Sequence, residues 1–325
     1  MFRSFLKCLA VASACTLAAT PVALAQSYPT KSIRLICPFP PGGAVDIASR
    51  AIANELSKTI GQQVVVENKP GAGGNIGGAE AARAAPDGYT IFMTTSGISA
   101  INPALYSKMP FDPNKDLAPV SALVSLNNVL VVHPSVAAKS VTEIIAMAKA
   151  QPGKMTYASS GSGTSIHMSG EMFKHLAKVD ILHIPYKGSS PALTDMLGGQ
   201  VMMMFDNIPS ALPHIKSGKL RALATTGAKR DATLPDLPTI AEAGVPGYES
   251  GVWFGLLVPA GTPRDIVAKL NAEAVKGTKS PEFVKRMTDL GYNIIGSTPE
   301  QMTEMLKTEV NTWGPIVKAS GAKAD

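Results

Sequence analysis

Short apolar runs alternate with stretches whose apolar residues recur every three or four positions through nearly all of this chain. That alternation limits the fold more than any other feature. Residues 32–37 (SIRLIC), 62–68 (QQVVVEN) and 89–95 (YTIFMTT) read as strands, with helical patterns at 44–60 and 77–85 between them. The rhythm resumes at residue 141 with helix VTEIIAMAKA, strand KMTYASS, helix TSIHMSGEMFKHLA and strand DILHIPYKG. Helix SPALTDML, strand QVMMMFDN, helix IPSALPHIK and strand LRALATT follow, and three helical patterns end the chain. Strands joined through helices pair in parallel, with helices covering both faces of the sheet. Two stretches break the rhythm. Residues 116–135 carry two apolar runs around Asn127 and Asn128, and residues 252–263 (VWFGLLVPAGTP) form another long apolar strand. Each suits a strand that crosses between sheets. The expected fold class is α/β, with two lobes of parallel-rich sheet flanked by helices and a two-strand hinge. Residues 26–127 and 250–325 build the first lobe, and residues 128–249 the second.

The connections from strand to helix are bare. In the first lobe they are PFPPGG, NKPGAGGN and TTSG; in the second, ASSGSGTS, YKGSSP and FDNIP. Glycine lets a backbone approach a ligand closely, proline stiffens the loop, and a helix start presents N–H groups with no intrahelical partner. One such loop is a tight turn with an N-cap. Six of them at the carboxyl ends of two sheets, where ligands of open α/β folds bind, point to an anion between the lobes. Lys69 and Lys187 are the two cationic side chains in these six loops, so amides and hydroxyls must meet most of the charge. That suits a carboxylate rather than a polyphosphate. The GxGxxG dinucleotide pattern fails at Ile76, and no GxxxxGK[ST] occurs.

Composition restricts the rest. Arg3 and Lys7, an apolar stretch and Ala23-Leu24-Ala25 form a secretory signal peptide over residues 1–25, cleaved near Ala25. An exported protein then keeps only Cys37, which cannot form an internal disulfide and reads as a buried small hydrophobe. The formal net charge of +6 includes the leader's Arg3 and Lys7, and no basic run interleaves with aromatics. Nucleic acid is therefore excluded as a partner. No cofactor motif is present.

Catalytic readings are thin. Ser162 lacks the glycines of GxSxG, with Ser160 and Thr164 in their places, although with His167 it leaves an exported serine hydrolase as the alternative. His167, Glu171 and His175 recur at a spacing of four, but without HExxH no metal is expected. Asp206 either accepts a hydrogen bond from a ligand hydroxyl or amine, or caps the helix around Pro209.

Residues 28–50 (YPTKSIRLICPFPPGGAVDIASR), 64–90 (VVVENKPGAGGNIGGAEAARAAPDGYT), 183–201 (HIPYKGSSPALTDMLGGQV) and 236–249 (DLPTIAEAGVPGYE) resemble the tripartite tricarboxylate transporter substrate-binding proteins, the Bug family. The resemblance runs from Tyr28 to the C-terminus. It implies a periplasmic binding protein of the type II fold that closes on a small, often dicarboxylic, acid. It further implies delivery to the permease subunits of a membrane transporter, with the protein acting as a monomer and not as an enzyme. By motif it assigns ligand contacts to Phe39, Pro41, Gly42, Gly43, Gly73, Gly74, Thr95 and Ser96. In the second lobe it assigns Ser160, Gly161, Ser162, Gly163, Thr164, His167 and Asp206.

Overall fold

The computed structural model describes residues 28–320 and 324; the expected signal peptide, residues 1–25, lies outside them. From the N-terminus come β1 (Ile33–Cys37), α1 (Ala44–Ile60), β2 (Val64–Asn68), a 3-10 turn (Ala72–Gly74) running into α2 (Asn75–Ala82), and β3 (Thr90–Thr95). A π-helical turn (Gly97–Ile101) leads into α3 (Asn102–Leu105), and then β4 runs from Leu117 to Val132. The second series is α4 (Val141–Ala150), β5 (Thr156–Ser159), α5 (Ser165–Ala177), β6 (Leu182–Pro185), α6 (Ser189–Leu197), β7 (Met203–Asn207), α7 (Ile208–Lys216) and β8 (Arg221–Thr225). The chain ends with β9 (Gly251–Pro259), α8 (Arg264–Thr278), α9 (Pro281–Asp289), β10 (Tyr292–Ile294) and α10 (Pro299–Ser320). No described helix is long and apolar enough to cross a membrane.

The strands that carry the bare loops pair in parallel, as their helical crossovers require: β1 with β2 and β3, and β5 with β6 and β7. The sheet as a whole is mixed. β9 runs antiparallel to β3 and β4, while β4 runs antiparallel to β7, β8 and β10. β4 is continuous, and its partners change along it. Leu117 to Asn127 pair with β9, whereas Asn128 to Val132 pair with β7 and β8. β9, expected to cross between sheets, stays wholly beside β3 and the first part of β4. The chain returns just ahead of it, where the Ser250 amide donates to the Thr226 carbonyl at 2.8 Å. β10 was not foreseen, because three residues between helical patterns give no period to read.

The core follows the sheet. Ile33, Leu35, Ile36, Ile91 and Phe92 pack with Phe254, Leu256 and Leu257 in one cluster. Around β5 and β7, alternate side chains serve opposite faces: Met203 and Phe205 pack with Tyr157 and Phe173, and Met204 packs with Ala158 and Ile166. The Met202–Met204 run is thus core filling at two positions only, since Met202 precedes β7 and is exposed.

Candidate functional site

The loop after β1 is held by one buried carboxylate. Asp46, in the first turn of α1, accepts from the Gly42 amide at 3.0 Å, from Asn68 Nδ2 at 2.8 Å and from Arg50 at 2.9 Å. Asn68 Nδ2 also donates to the Phe39 carbonyl at 2.8 Å. The Gly42 amide is therefore committed within the loop, and φ of +87° at Gly42 makes the turn that allows it. Pro41 faces across the cleft through its carbonyl, which accepts from Ser190 Oγ at 2.6 Å. What the loop presents to the cleft is the start of α1: Gly43, Ala44 and Val45, with Phe39 beside them. Gly43 has φ of −80°, open to any residue, and an added Cβ would lie 3.8 Å from Ser189 Cβ. Gly43→Val should therefore fold normally and fill the cleft, lowering ligand affinity about tenfold, roughly 1.4 kcal/mol by calorimetry. Unchanged affinity would remove this loop from the site.

Glycines 73 and 74 serve different ends. A Cβ on Gly74 would strike Ile98 at 2.5 Å, within its own side of the molecule, whereas one on Gly73 would lie 2.3 Å from the Ser162 carbonyl across the cleft. Thr95 lines the cleft at the end of β3, and Ser96 is buried behind it at the head of the π-helical turn.

The loop after β5 is equally occupied with itself. The Gly161 amide donates to Ser159 Oγ at 3.1 Å, and the Gly163 amide donates to His167 Nδ1 at 3.2 Å. Thr164 caps α5: its hydroxyl donates to the Gly161 carbonyl at 2.7 Å and accepts from the His167 amide. Ser159 Oγ in turn meets His183 Nε2 at 2.6 Å. His183 stacks on His167 with centroids 4.1 Å apart and also stacks with Tyr157 at 4.9 Å. Burial holds His167 down at about 4; burial and the adjoining His167 and Lys174 hold His183 down at about 3. Both rings are neutral near pH 7. Glu171 is engaged by the Tyr157 hydroxyl at 2.6 Å and by Lys174 at 2.9 Å. Ser162 uses its carbonyl to accept from the Tyr106 hydroxyl at 3.1 Å. Since His167 Nδ1 takes the Gly163 amide, no hydrogen bond joins Ser162 and His167 as nucleophile and base among the described residues.

Asp206 does not face the cleft. It is fully buried, accepting from Ser189 Oγ at 2.8 Å and from Ser210 Oγ at 2.7 Å. Burial pushes its carboxyl up to about 6, against the pull of those two hydroxyls, so it is ionised near pH 7. Its role is to hold Ser189, the first residue of α6. Asn207, at the N-cap of α7, donates from Nδ2 to Asn128 Oδ1 at 2.6 Å. Asn128 continues through Ser169 at 2.9 Å to Ser250 at 2.7 Å, which links the cleft to both points where the chain passes between the sheets.

The cleft therefore gathers four helix starts: Gly43, Ala44 and Val45 of α1; Thr164 and Ser165 of α5; Ser189 of α6; and Asn207 of α7. Thr95 and Ser160 add hydroxyls, and Phe39, Val252 and Phe254 add apolar wall. The cavity they enclose is small, about 20 Å³. None of these lining residues is charged. Of the residues expected from sequence, Phe39, Gly43, Thr95, Ser160 and Thr164 line the cleft; Pro41, Gly42, Gly73, Gly161, Ser162, Gly163, His167 and Asp206 hold its walls. Ser189 and Asn207 were missed, although the loops that contain them, YKGSSP and FDNIP, stood out. Val252 and Phe254, on one face of β9, carry no signal beyond strand periodicity.

Residues 48–322 match the family described as tripartite tricarboxylate transporter family receptor. The protein BugT of Bordetella pertussis is 38% identical over 306 residues, which cover 94% of this chain and 94% of BugT. An R. palustris protein solved with adipate superposes with a TM-score of 0.88 at 38% identity, covering 90% of this chain and 98% of its own. The protein MatC from Rhodopseudomonas palustris, solved with bound malate, gives a TM-score of 0.86 at 33% identity, over 89% of this chain and all of its own.

Proposed function

This chain belongs to the tripartite tricarboxylate transporter receptor family of periplasmic solute-binding proteins, and on that premise we propose that it captures a small organic carboxylate in the cleft and delivers it to the permease subunits of such a transporter. The observation that carries this reading is the meeting of four helix N-termini at a cleft whose lining residues bear no charge. Each helix start offers unpaired N–H groups and a partial positive charge, worth about 0.3–1 kcal/mol to an anion at exposed sites and more when buried. A single carboxylate group matches that supply, whereas a polyphosphate would call for Lys, Arg or a metal. Adipate and malate in the related structures favour a dicarboxylate. Lys187 is exposed and plays no part in the cleft.

In this reading residues 26–127 with 250–325, and residues 128–249, are lobes that close on the ligand. The protein works as a periplasmic monomer after cleavage near Ala25, without a cofactor and without turning the ligand over. Phe39, Gly43, Thr95, Ser160 and Thr164 touch the ligand, with Ser165, Ser189 and Asn207 beside them. The remaining motif residues shape their loops.

A carboxylate library tests this directly, following melting temperature and ligand concentration together. Stabilisation with unchanged ligand is the expected result, retained in Lys187→Ala. Steady consumption of a ligand, abolished by Ser162→Ala, would replace binding with hydrolysis.

A further inference from the structure

One wall of the cleft differs chemically from the others. All four helix starts offer backbone N–H donors, and Thr95 and Ser160 bring hydroxyls, so it is the side chains at the starts of α6 and α7 that set their wall apart. Ser189 brings none of its donor capacity, because its single hydroxyl proton goes to Asp206 Oδ1 at 2.8 Å. Asp206 has no proton to give back near pH 7, and its second oxygen is taken by Ser210 at 2.7 Å. The Ser189 oxygen can then offer the cleft only lone pairs. Asn207 is in the same position. Its Nδ2 donates to Asn128 Oδ1 at 2.6 Å and to Ser165 Oγ at 3.5 Å. Although Asn207 is the N-cap of α7, its side chain makes no capping hydrogen bond, so Oδ1 is not used on its own helix.

Two acceptors on one wall are the wrong partners for a carboxylate oxygen and the right ones for an O–H or N–H group. We propose that the ligand carries a hydrogen-bond donor next to a carboxylate, a hydroxyl or an ammonium, and that Ser189 and Asn207 select it. The ligand class is then a hydroxy or amino acid rather than a plain one, an inference that rests on the carboxylate reading above.

Calorimetry on matched acids tests it: succinate against malate and aspartate, propionate against lactate and alanine, adipate against 2-hydroxyadipate and 2-aminoadipate. In whichever length binds, the donor-bearing acid should bind at least tenfold more tightly than its plain partner. Ser189→Ala should shrink that ratio to threefold or less, mainly by weakening the donor-bearing acid. Equal binding of plain and substituted acids in the unaltered protein overturns the proposal while leaving carboxylate capture intact, and would mean that bound water supplies the donor. A ratio that survives in Ser189→Ala overturns the role of Ser189. If no acid of any length binds, carboxylate capture itself falls, and this inference with it.

Discussion

Replacing Gly73 by alanine should weaken ligand binding by a hundredfold or more, about 2.7 kcal/mol, and leave the open protein folded. The reason lies in where the missing side chain would point. A Cβ at Gly73 would stand 2.3 Å from the Ser162 carbonyl, 2.9 Å from the Tyr106 hydroxyl and 3.4 Å from Asn102 Nδ2. The last two are side-chain ends that can shift, whereas the Ser162 carbonyl is backbone on the opposite side of the cleft. The left-handed φ of +60° adds about 1–2 kcal/mol of strain, but open and closed forms share it. In the lobe closure proposed above only the closed form meets the carbonyl, so the substitution should act on closure. In the unaltered protein, solution scattering should show a smaller radius of gyration with saturating ligand. In Gly73→Ala that contraction should be lost. A variant that binds and contracts normally would show that the two loops need not meet for the ligand to be held.

Mild acid should destabilise this protein steeply, and the stacked imidazoles should account for much of the slope. In an unfolded chain both histidines protonate near pH 6.5, while in the fold His167 and His183 resist protonation down to about 4 and about 3. Between those limits the unfolded state binds more protons, so stability is fully present above pH 6.5 and drains away as pH falls toward the folded values. Each ring contributes about 1.4 kcal/mol per pH unit across that window. Asp206 opposes them in part: its carboxyl, raised to about 6, takes up a proton in the fold before the unfolded chain does. Urea unfolding at pH 7, 6 and 5 measures the slope. His183→Phe keeps a ring in the stack and removes one titrating group, so its slope should be shallower by about 1.4 kcal/mol per pH unit. Equal slopes in the two proteins would mean that His183 already carries its charge in the fold.

Much of this architecture is visible in the sequence because each part has a local cause. Strand and helix periods set β1 to β3 and β5 to β7, and helical crossovers oblige them to pair in parallel. The loops stand out because glycine, proline and serine before a helix have few other uses. What composition cannot tell is which polar atoms a loop keeps for itself. Ser160 and Thr164 look alike in SSGSGT, yet the Thr164 hydroxyl is committed to capping α5 while Ser160 makes no such bond. The adjacent glycines of GAGG are just as alike, and one packs on Ile98 while the other faces Ser162. Asp206 looked like a ligand group because it ends a strand; two serines, one seventeen residues upstream, take both of its oxygens. Such assignments depend on neighbours distant in the chain, where periodicity carries no information.

The unbroken course of β4 governs how the molecule comes apart. Its residues to Asn127 hydrogen-bond into one part of the sheet and those from Asn128 into the other, with no loop between them. Melting either part alone would strip one side of a strand whose remaining length must stay fixed in the other, leaving bare N–H and C=O groups along an exposed edge. Heating should accordingly give one calorimetric transition rather than two, with calorimetric and van't Hoff enthalpies in agreement. A fragment ending at residue 127 would lack the partner strand β9 and present that edge to other chains, so it should aggregate rather than persist as a stable half.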